Sequence, residues 1–289
     1  MVRIDSRRAG RRGFTLVELL VVMTIIAVLI GLLLPAVQVV RKKATMVRAV
    51  NDISQLSTSI AGFKTTYNAD YIPGQIVLRN DVTTYNLANP IERDSQAYLK
   101  RIWPRLQSGQ ASLNPGWGAV PANGILLEGD QALVFFLDGI YNSGGMLGFG
   151  TNGQDPTVTA TTGNNTFFDF QSNRLAVRNG FPSYLDVWGT QPYLYFSNYG
   201  VRNGYKVFAA GSPTGGYNLS DCQQSFNVYP WYESTSPYTK YLNADSFQII
   251  SAGEDMTFGA GGLYSPGALP QAAKDDLSNF TQSILNAGR

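Results

Sequence analysis

An unbroken apolar run near the N-terminus constrains this chain more than any other feature. Residues 14–34 read FTLVELLVVMTIIAVLIGLLL, with one charge, Glu18, and two threonines, Thr15 and Thr24. As a helix rising about 1.5 Å per residue, the run is roughly 30 Å long, the thickness of one bilayer core. A core helix of a soluble domain rarely runs this far without a polar face. A secretory signal would have a shorter apolar region, with its small-residue cut site after the run. Here the small residue, Gly13, stands before it. The segment therefore reads as a membrane span retained in the mature chain.

Charge is distributed unevenly around this run. The first 13 residues, MVRIDSRRAGRRG, carry five Arg against Asp5, a net of +4. The whole chain has 22 Lys+Arg and 20 Asp+Glu, so the remainder holds 17 and 19, a net of −2. The basic balance belongs to the leader and implies no nucleic-acid partner. Five Arg before the span face Arg41, Lys42, Lys43 and Arg48 after it, so charge counting leaves the orientation undecided. The RKK cluster reads as an interfacial anchor to the bilayer. The sequence has no His, which excludes Ser-His-Asp and Cys-His catalysis and an HExxH zinc site. Its single Cys, Cys222, excludes an internal disulfide and reads as a small apolar filler.

Glu18 is the anomaly of the span. A carboxylate there costs a few kcal/mol unless it stays wet or finds a partner. On the residues alone, it either sits among the headgroups or pairs with a cation in an assembly.

Beyond the run, Val40, Ala44, Val47, Val50, Ile53, Leu56, Ile60, Phe63 and Tyr67 recur at three- and four-residue steps with polar residues between them. This is the pattern of an amphipathic helix with one apolar stripe, continuing to about residue 67. Pro35 removes one backbone hydrogen bond, so it either bends or locally melts this helix or ends the span. A helix over 14–67 is roughly 80 Å long.

From residue 68 onward the chain is rich in Gly, Pro, Asn, Thr and Tyr. Helices are expected at 94–106 and 129–140, loops at 107–124 and 142–166, and strands at 166–170, 192–197, 205–209 and 246–251. Trp188, after an inferred strand end, is expected in the core. Gly148, Gly150 and Gly153 match GxGxxG, but no helix pattern follows, so the match reads as a loop.

The segment Arg11-Arg12-Gly13-Phe14-Thr15-Leu16-Val17-Glu18 resembles the processing site of type IV pilin-like proteins. The resemblance implies cleavage between Gly13 and Phe14 by a prepilin peptidase, N-methylation of Phe14, and pairing of Glu18 with the terminal amine of a neighbouring subunit. Pro35 falls where that family commonly carries a helix-kinking proline. The implied fold is α+β: a long N-terminal helix, half transmembrane and half amphipathic, packed on a small antiparallel sheet. The implied domains are a cleaved leader (1–13), the long helix (14–67) with its span at 14–34, and a periplasmic head (68–289) with a large loop-rich insertion over 68–184.

Two further segments are similar to the major pseudopilin family of type II secretion. Asp186-Val187-Trp188-Gly189-Thr190-Gln191-Pro192-Tyr193 is similar to its Asp-Pro-Trp-Gly-x-Pro-Tyr segment, with Val187 in place of Pro and one extra residue before Pro192. Residues 247–255 and 275–280 are similar to a C-terminal loop that binds calcium in that family. Carried over, the ligands are Asp255 and Asp276, with Asp275 as a substitute. Calcium's demand for six to eight oxygens suits such a loop. Met256 departs from the family's Gly, and the gap to Asp276 is longer than usual. The helical spacing of Ala273, Leu277, Phe280 and Ile284 offers another reading, with the acids in the first turns of a C-terminal helix.

Together these segments imply a structural subunit, not an enzyme. The resemblance implies a pseudopilin anchored once in the bacterial inner membrane, polymerising with itself and other pseudopilins on an inner-membrane assembly platform. The rival readings are a type IV pilin of a surface pilus and a membrane-anchored binding domain using the same leader. The last would show as a pocket with clustered polar groups in the insertion.

Overall fold

The apolar run and the amphipathic stretch form one helix, α1 (Leu16–Tyr67), which passes through Pro35 without interruption. This computed structural model describes residues 14–106, 124–142, 145–157, 166–178, 180–205, 221–236, 238–281 and 284–285. The chain divides into two compact units, Met1–Met46 and Val47–Arg289. In the first, every side chain over 14–44 is exposed. In the second, α1 buries Ala49, Ile53, Leu56, Ile60 and Phe63, at alternating steps of four and three. The buried stripe therefore starts at Ala49. Val47, expected in it, is 66% exposed, because the 3.6-residue period turns it off the packed face. The helix stops at Tyr67, where Asn68 takes a left-handed φ of +48°.

Beyond α1 lie small sheets and short helices. β1 (Ile76–Leu78) pairs antiparallel with β2 (Ile125–Leu127), Ile76 opposite Leu127. α2 (Pro90–Ile102) starts earlier than its apolar pattern implies. Asn89 caps it by accepting the Ile91 amide at 3.1 Å, and Pro90 occupies the first turn, where no amide is needed. It ends before Pro104. α3 (Gly129–Asp138) has all ten residues buried and closes at Gly139, φ +71°.

Next come β3 (Tyr141–Asn142), β4 (Gly145–Met146), β5 (Leu175–Arg178), β6 (Phe181–Tyr184), β7 (Leu194–Ser197), α4 (Gln223–Phe226), β8 (Trp231–Ser234), β9 (Lys240–Tyr241), β10 (Phe247–Ser251), β11 (Gly262–Leu263) and β12 (Leu277–Ser278). β10 is the centre of an antiparallel sheet ordered β12-β10-β7, with Ile249 opposite Tyr195 and Ser251 opposite Leu277. A second sheet runs β11-β8-β9, its β11–β8 pair parallel. The architecture is α+β, a long N-terminal apolar helix with small, mostly antiparallel sheets.

α3 is the hub of the second unit, packing on β6 and β7. Its Phe136 meets Phe63 of α1 edge-on at 5.6 Å. Three expectations fail here. Residues 166–170 form no strand; Phe167 instead packs edge-on against Phe63 at 5.4 Å, and its amide bonds Leu137 O at 2.8 Å. Residues 275–276 are not helical. A single 3₁₀ turn, Gln271–Ala273, precedes β12, because β10 recruits the Leu277 backbone into its sheet. Trp188 is half-buried, whereas Trp231 and Trp103 are 1% and 5% exposed. Of the expected 205–209 strand, Tyr205 is not in a strand and the rest lies outside the described residues.

Candidate functional site

The N-terminal end of α1 is closed by a reciprocal cap. Thr15 Oγ1 accepts the Glu18 amide at 3.2 Å. In return Glu18 Oε2 accepts the Thr15 amide at 2.9 Å and the Thr15 hydroxyl at 2.8 Å. This is a capping box, and the Thr-x-x-Glu spacing of residues 15–18 encodes it. Glu18 thus has donors within its own chain, and Thr15 supplies them. Phe14 is 77% exposed beside this cap. Gly13 lies outside the described residues. Pro35 sits inside α1. Within this unit the run satisfies its backbone by helix formation but buries no side chain, and it is long and apolar enough to cross a membrane.

In the second unit, a charged cluster fixes α1. Asp52 Oδ2 accepts Arg174 Nη2 at 2.8 Å and the Tyr193 hydroxyl at 3.0 Å. The Arg174 guanidinium also lies over the Tyr184 ring, 4.3 Å from its centroid, and donates to Leu185 O. Tyr193 belongs to the Trp-Gly…Pro-Tyr segment, so that segment touches the long helix directly.

The start of the same segment is a tight turn organised by Asp186. Its Oδ1 accepts the amides of Trp188 and Gly189 at 3.1 and 3.2 Å, while Oδ2 accepts the Ser251 hydroxyl of β10 at 2.9 Å. Burial pushes the Asp186 carboxyl above its ordinary range, against the pull of the Ser251 hydroxyl and the two amides. The turn is pinned to the central strand by one carboxylate.

The C-terminal acids diverge. Asp276 is fully buried; its Oδ2 accepts the Gly259 amide at 2.9 Å, and its Oδ1 has no hydrogen-bond partner. Asp255 is exposed and its Oδ1 accepts the Thr257 amide at 2.8 Å. Asp275 Oδ2 accepts the Asp255 amide at 2.7 Å. Among the described residues no group of three or more acidic or thiol side chains is gathered closely enough to hold a metal. As arranged, Asp276 Oδ1 is the one buried carboxylate oxygen of this loop without a hydrogen-bond partner, and Asp255 and Asp275 are not gathered with it into a shell of the six to eight oxygens that calcium takes. Cys222 is fully buried in the core around Trp231 and Leu194, and burial raises its thiol well above the ordinary value, which suits a filler rather than a nucleophile.

Residues 8–34 match the family described as the prokaryotic N-terminal methylation motif. The chain carries a prepilin-type methylation motif. No curated protein and no solved structure matches the chain. The methylation motif spans the end of the basic N-terminal stretch, the Gly13–Phe14 junction, the Thr15–Glu18 cap and the apolar run to Leu34. It supports a type IV pilin-like protein, and it fits the membrane-length helix that follows. Such proteins are structural subunits, processed by a prepilin peptidase and self-assembling.

Proposed function

We propose that this chain is a structural subunit, not an enzyme, of a type II secretion pseudopilus. The leader is removed between Gly13 and Phe14, Phe14 is N-methylated, and the spans of successive copies then bundle. The carrying observation is the methylation motif at 8–34, whose apolar run opens α1 with every side chain over 14–44 exposed. So much apolar surface needs lipid first and neighbouring copies afterwards. Glu18 exchanges its Thr15 donors for the terminal amine of a neighbour, and in a low-dielectric bundle each charge relieves the other's desolvation. The partners are other pseudopilins and an inner-membrane platform, with the second unit in the periplasm. The Trp-Gly…Pro-Tyr segment favours a secretion filament over a surface pilus.

Glu18→Ala tests the assembly role. Processing is expected to persist, shown by a mature mass beginning at methylated Phe14, while filaments fail to form. Normal filaments from that variant refute the pairing. Replacing Gly13 by a bulky residue is expected to leave the precursor uncut. Deleting the gene separates the filament types: loss of exoprotein release supports secretion, and loss of twitching alone supports a surface pilus.

Calcium at the C-terminal loop is a second reading, favoured by the open Oδ1 of Asp276. It requires Asp255 to leave Thr257 and turn inward. A chelator-sensitive melting temperature, absent in Asp276→Asn, supports it. A melt indifferent to chelator removes it.

A further inference from the structure

α2 carries Asp94, Ala97, Tyr98 and Arg101 at positions i, i+3, i+4 and i+7, so they align in one row, with Ala97 and Arg101 exposed, Asp94 half-buried and Tyr98 buried. That row forms a wall of a cleft of about 540 Å³, within the usual range of small-ligand sites. Tyr71 and Tyr199 are also in its lining. The Tyr71 ring centroid lies 5.1 Å from that of Tyr98 and 5.6 Å from that of Tyr199.

The rings are held by their hydroxyls. Tyr98 Oη donates to Tyr71 O at 2.5 Å. Tyr199 Oη donates to the buried Asp221 at 2.5 Å and accepts the Gln75 amide at 3.1 Å. With those two hydroxyls occupied, the cleft is lined by the half-buried rings of Tyr71 and Tyr199, with the buried Tyr98 ring beside Tyr71.

Tyr199 also carries backbone strain. Its φ is +52°, a left-handed conformation that a bulky side chain adopts only under constraint. The following Gly200 has φ +72°, and a Cβ there would stand 2.9 Å from the Tyr71 ring. Strain of this kind persists where the surroundings over-determine it, and here the Asp221 and Gln75 bonds hold Tyr199 in the cleft wall.

The charges near the cleft favour an uncharged ligand. Arg101 is paired with Asp70 at 2.5 Å and Arg93 with Asp94 at 3.3 Å, two cations against two anions. Both pairs are exposed and cost little to exchange. Such a site suits a molecule with flat C–H faces to lie on tyrosine and hydroxyls to meet a carboxylate and a guanidinium. The geometry points to a binding site for a short neutral oligosaccharide in the Tyr71–Tyr98–Tyr199 cleft. It does not rest on the filament reading, requires neither Glu18 nor the methylation motif, and suits a filament subunit and the rival membrane-anchored binding domain alike.

The test is calorimetric titration of the full chain in a sugar-free zwitterionic detergent. The probes are neutral trisaccharides of glucose, galactose or N-acetylglucosamine, alongside their sulfated counterparts. At least one neutral sugar is expected to bind, with little salt dependence. Ala97→Trp fills the cleft from an exposed helix position and is expected to weaken binding about tenfold or more, with an unchanged melting temperature. Asp94→Asn, a milder change, is expected to weaken it less. Glu18→Ala is expected to bind like the parent chain. Absence of neutral-sugar binding up to about 10 mM overturns the proposal. So does binding of the sulfated sugars alone, or equal binding by the parent, Ala97→Trp and Asp94→Asn chains.

Discussion

Asp52 of the long helix and Arg174, ahead of β5, form an ion pair of 2.8 Å whose side chains are only 16% and 14% exposed. The pair joins residues 122 positions apart and is completed by the Tyr193 hydroxyl and the Tyr184 ring. Removing one partner strands a desolvated charge. Arg174→Ala is therefore expected to destabilise the second unit by about 3 kcal/mol, and Asp52→Ala by a similar amount. The double variant is expected to lose less than the sum, since neither charge is then left alone. Urea titrations of the full chain in micelles, followed by near-ultraviolet dichroism, measure both. Additive losses refute the coupling.

Gly129 opens α3 where no larger residue fits. A Cβ there would stand 1.9 Å from Tyr195 O and 2.8 Å from Cys222 Sγ. The Gly129 amide also bonds Asp221 O at 2.8 Å, which ties α3 to the segment behind β7. Gly129→Ala is expected to cost about 1–3 kcal/mol by overpacking, despite alanine's better helix propensity. A thermal melt of the full chain reports it, and an unchanged or raised melting temperature counts against the close approach.

How much of this was legible in the sequence depended on whether a periodic pattern decided the structure. The apolar run dictated the first half of α1 by its length, and the stripe at Ile53, Leu56, Ile60 and Phe63 dictated the second half by its period. β7 and β10 were equally visible as apolar runs. The aromatics at 167, 168 and 170 looked like a strand but serve as long-range packing, which no local pattern encodes. β12 was hidden because helical spacing at Ala273 and Leu277 coincided with a segment that β10 claims by hydrogen bonding. At the candidate site, Glu18 stood out by chemistry, as a charge in an apolar run, and the Gly13–Phe14 junction by resemblance to a processing motif. The cap made by Thr15 was also written there, in the Thr-x-x-Glu spacing. The Asp52–Arg174 pair and the tyrosine cleft were not, because their members meet only when distant segments fold together.

Asp138 makes the second unit sensitive to pH. It ends α3, is 4% exposed, and its Oδ1 has no hydrogen-bond partner. Burial first, then the Asp169 charge, push its pKa up to about 7, although the Phe170 amide pulls the other way. An acid whose pKa is raised by folding binds its proton more tightly in the folded state. Its contribution is therefore most favourable below the unfolded value near 4, declines as pH rises toward 7, and is flat above. Asp138→Asn is expected to remove that decline and to stabilise the chain at pH 8 by about 1 kcal/mol or more. Melting temperatures of the parent and variant across pH 4–8 check the sign. A parent curve that rises through this window at the variant's expense refutes it.

The Thr15–Glu18 cap predicts where α1 begins to fray. Thr15→Ala removes the acceptor for the Glu18 amide and the hydroxyl donor to Glu18 Oε2, leaving the Thr15 backbone amide as the one capping bond. Loss of such a cap costs about 1 kcal/mol, concentrated in the first turn. Amide hydrogen exchange in micelles is expected to accelerate at Glu18 and Leu19 in Thr15→Ala and to stay slow in Thr15→Ser, which keeps the hydroxyl. Residues beyond Thr24 are expected to exchange as in the parent chain, because a helix this long is insensitive to one end. The variant also separates two roles of Glu18. If its carboxylate serves only to cap its own helix, Thr15→Ala and Glu18→Ala impair assembly alike. If the carboxylate is needed by a neighbouring copy, Thr15→Ala assembles filaments that Glu18→Ala does not.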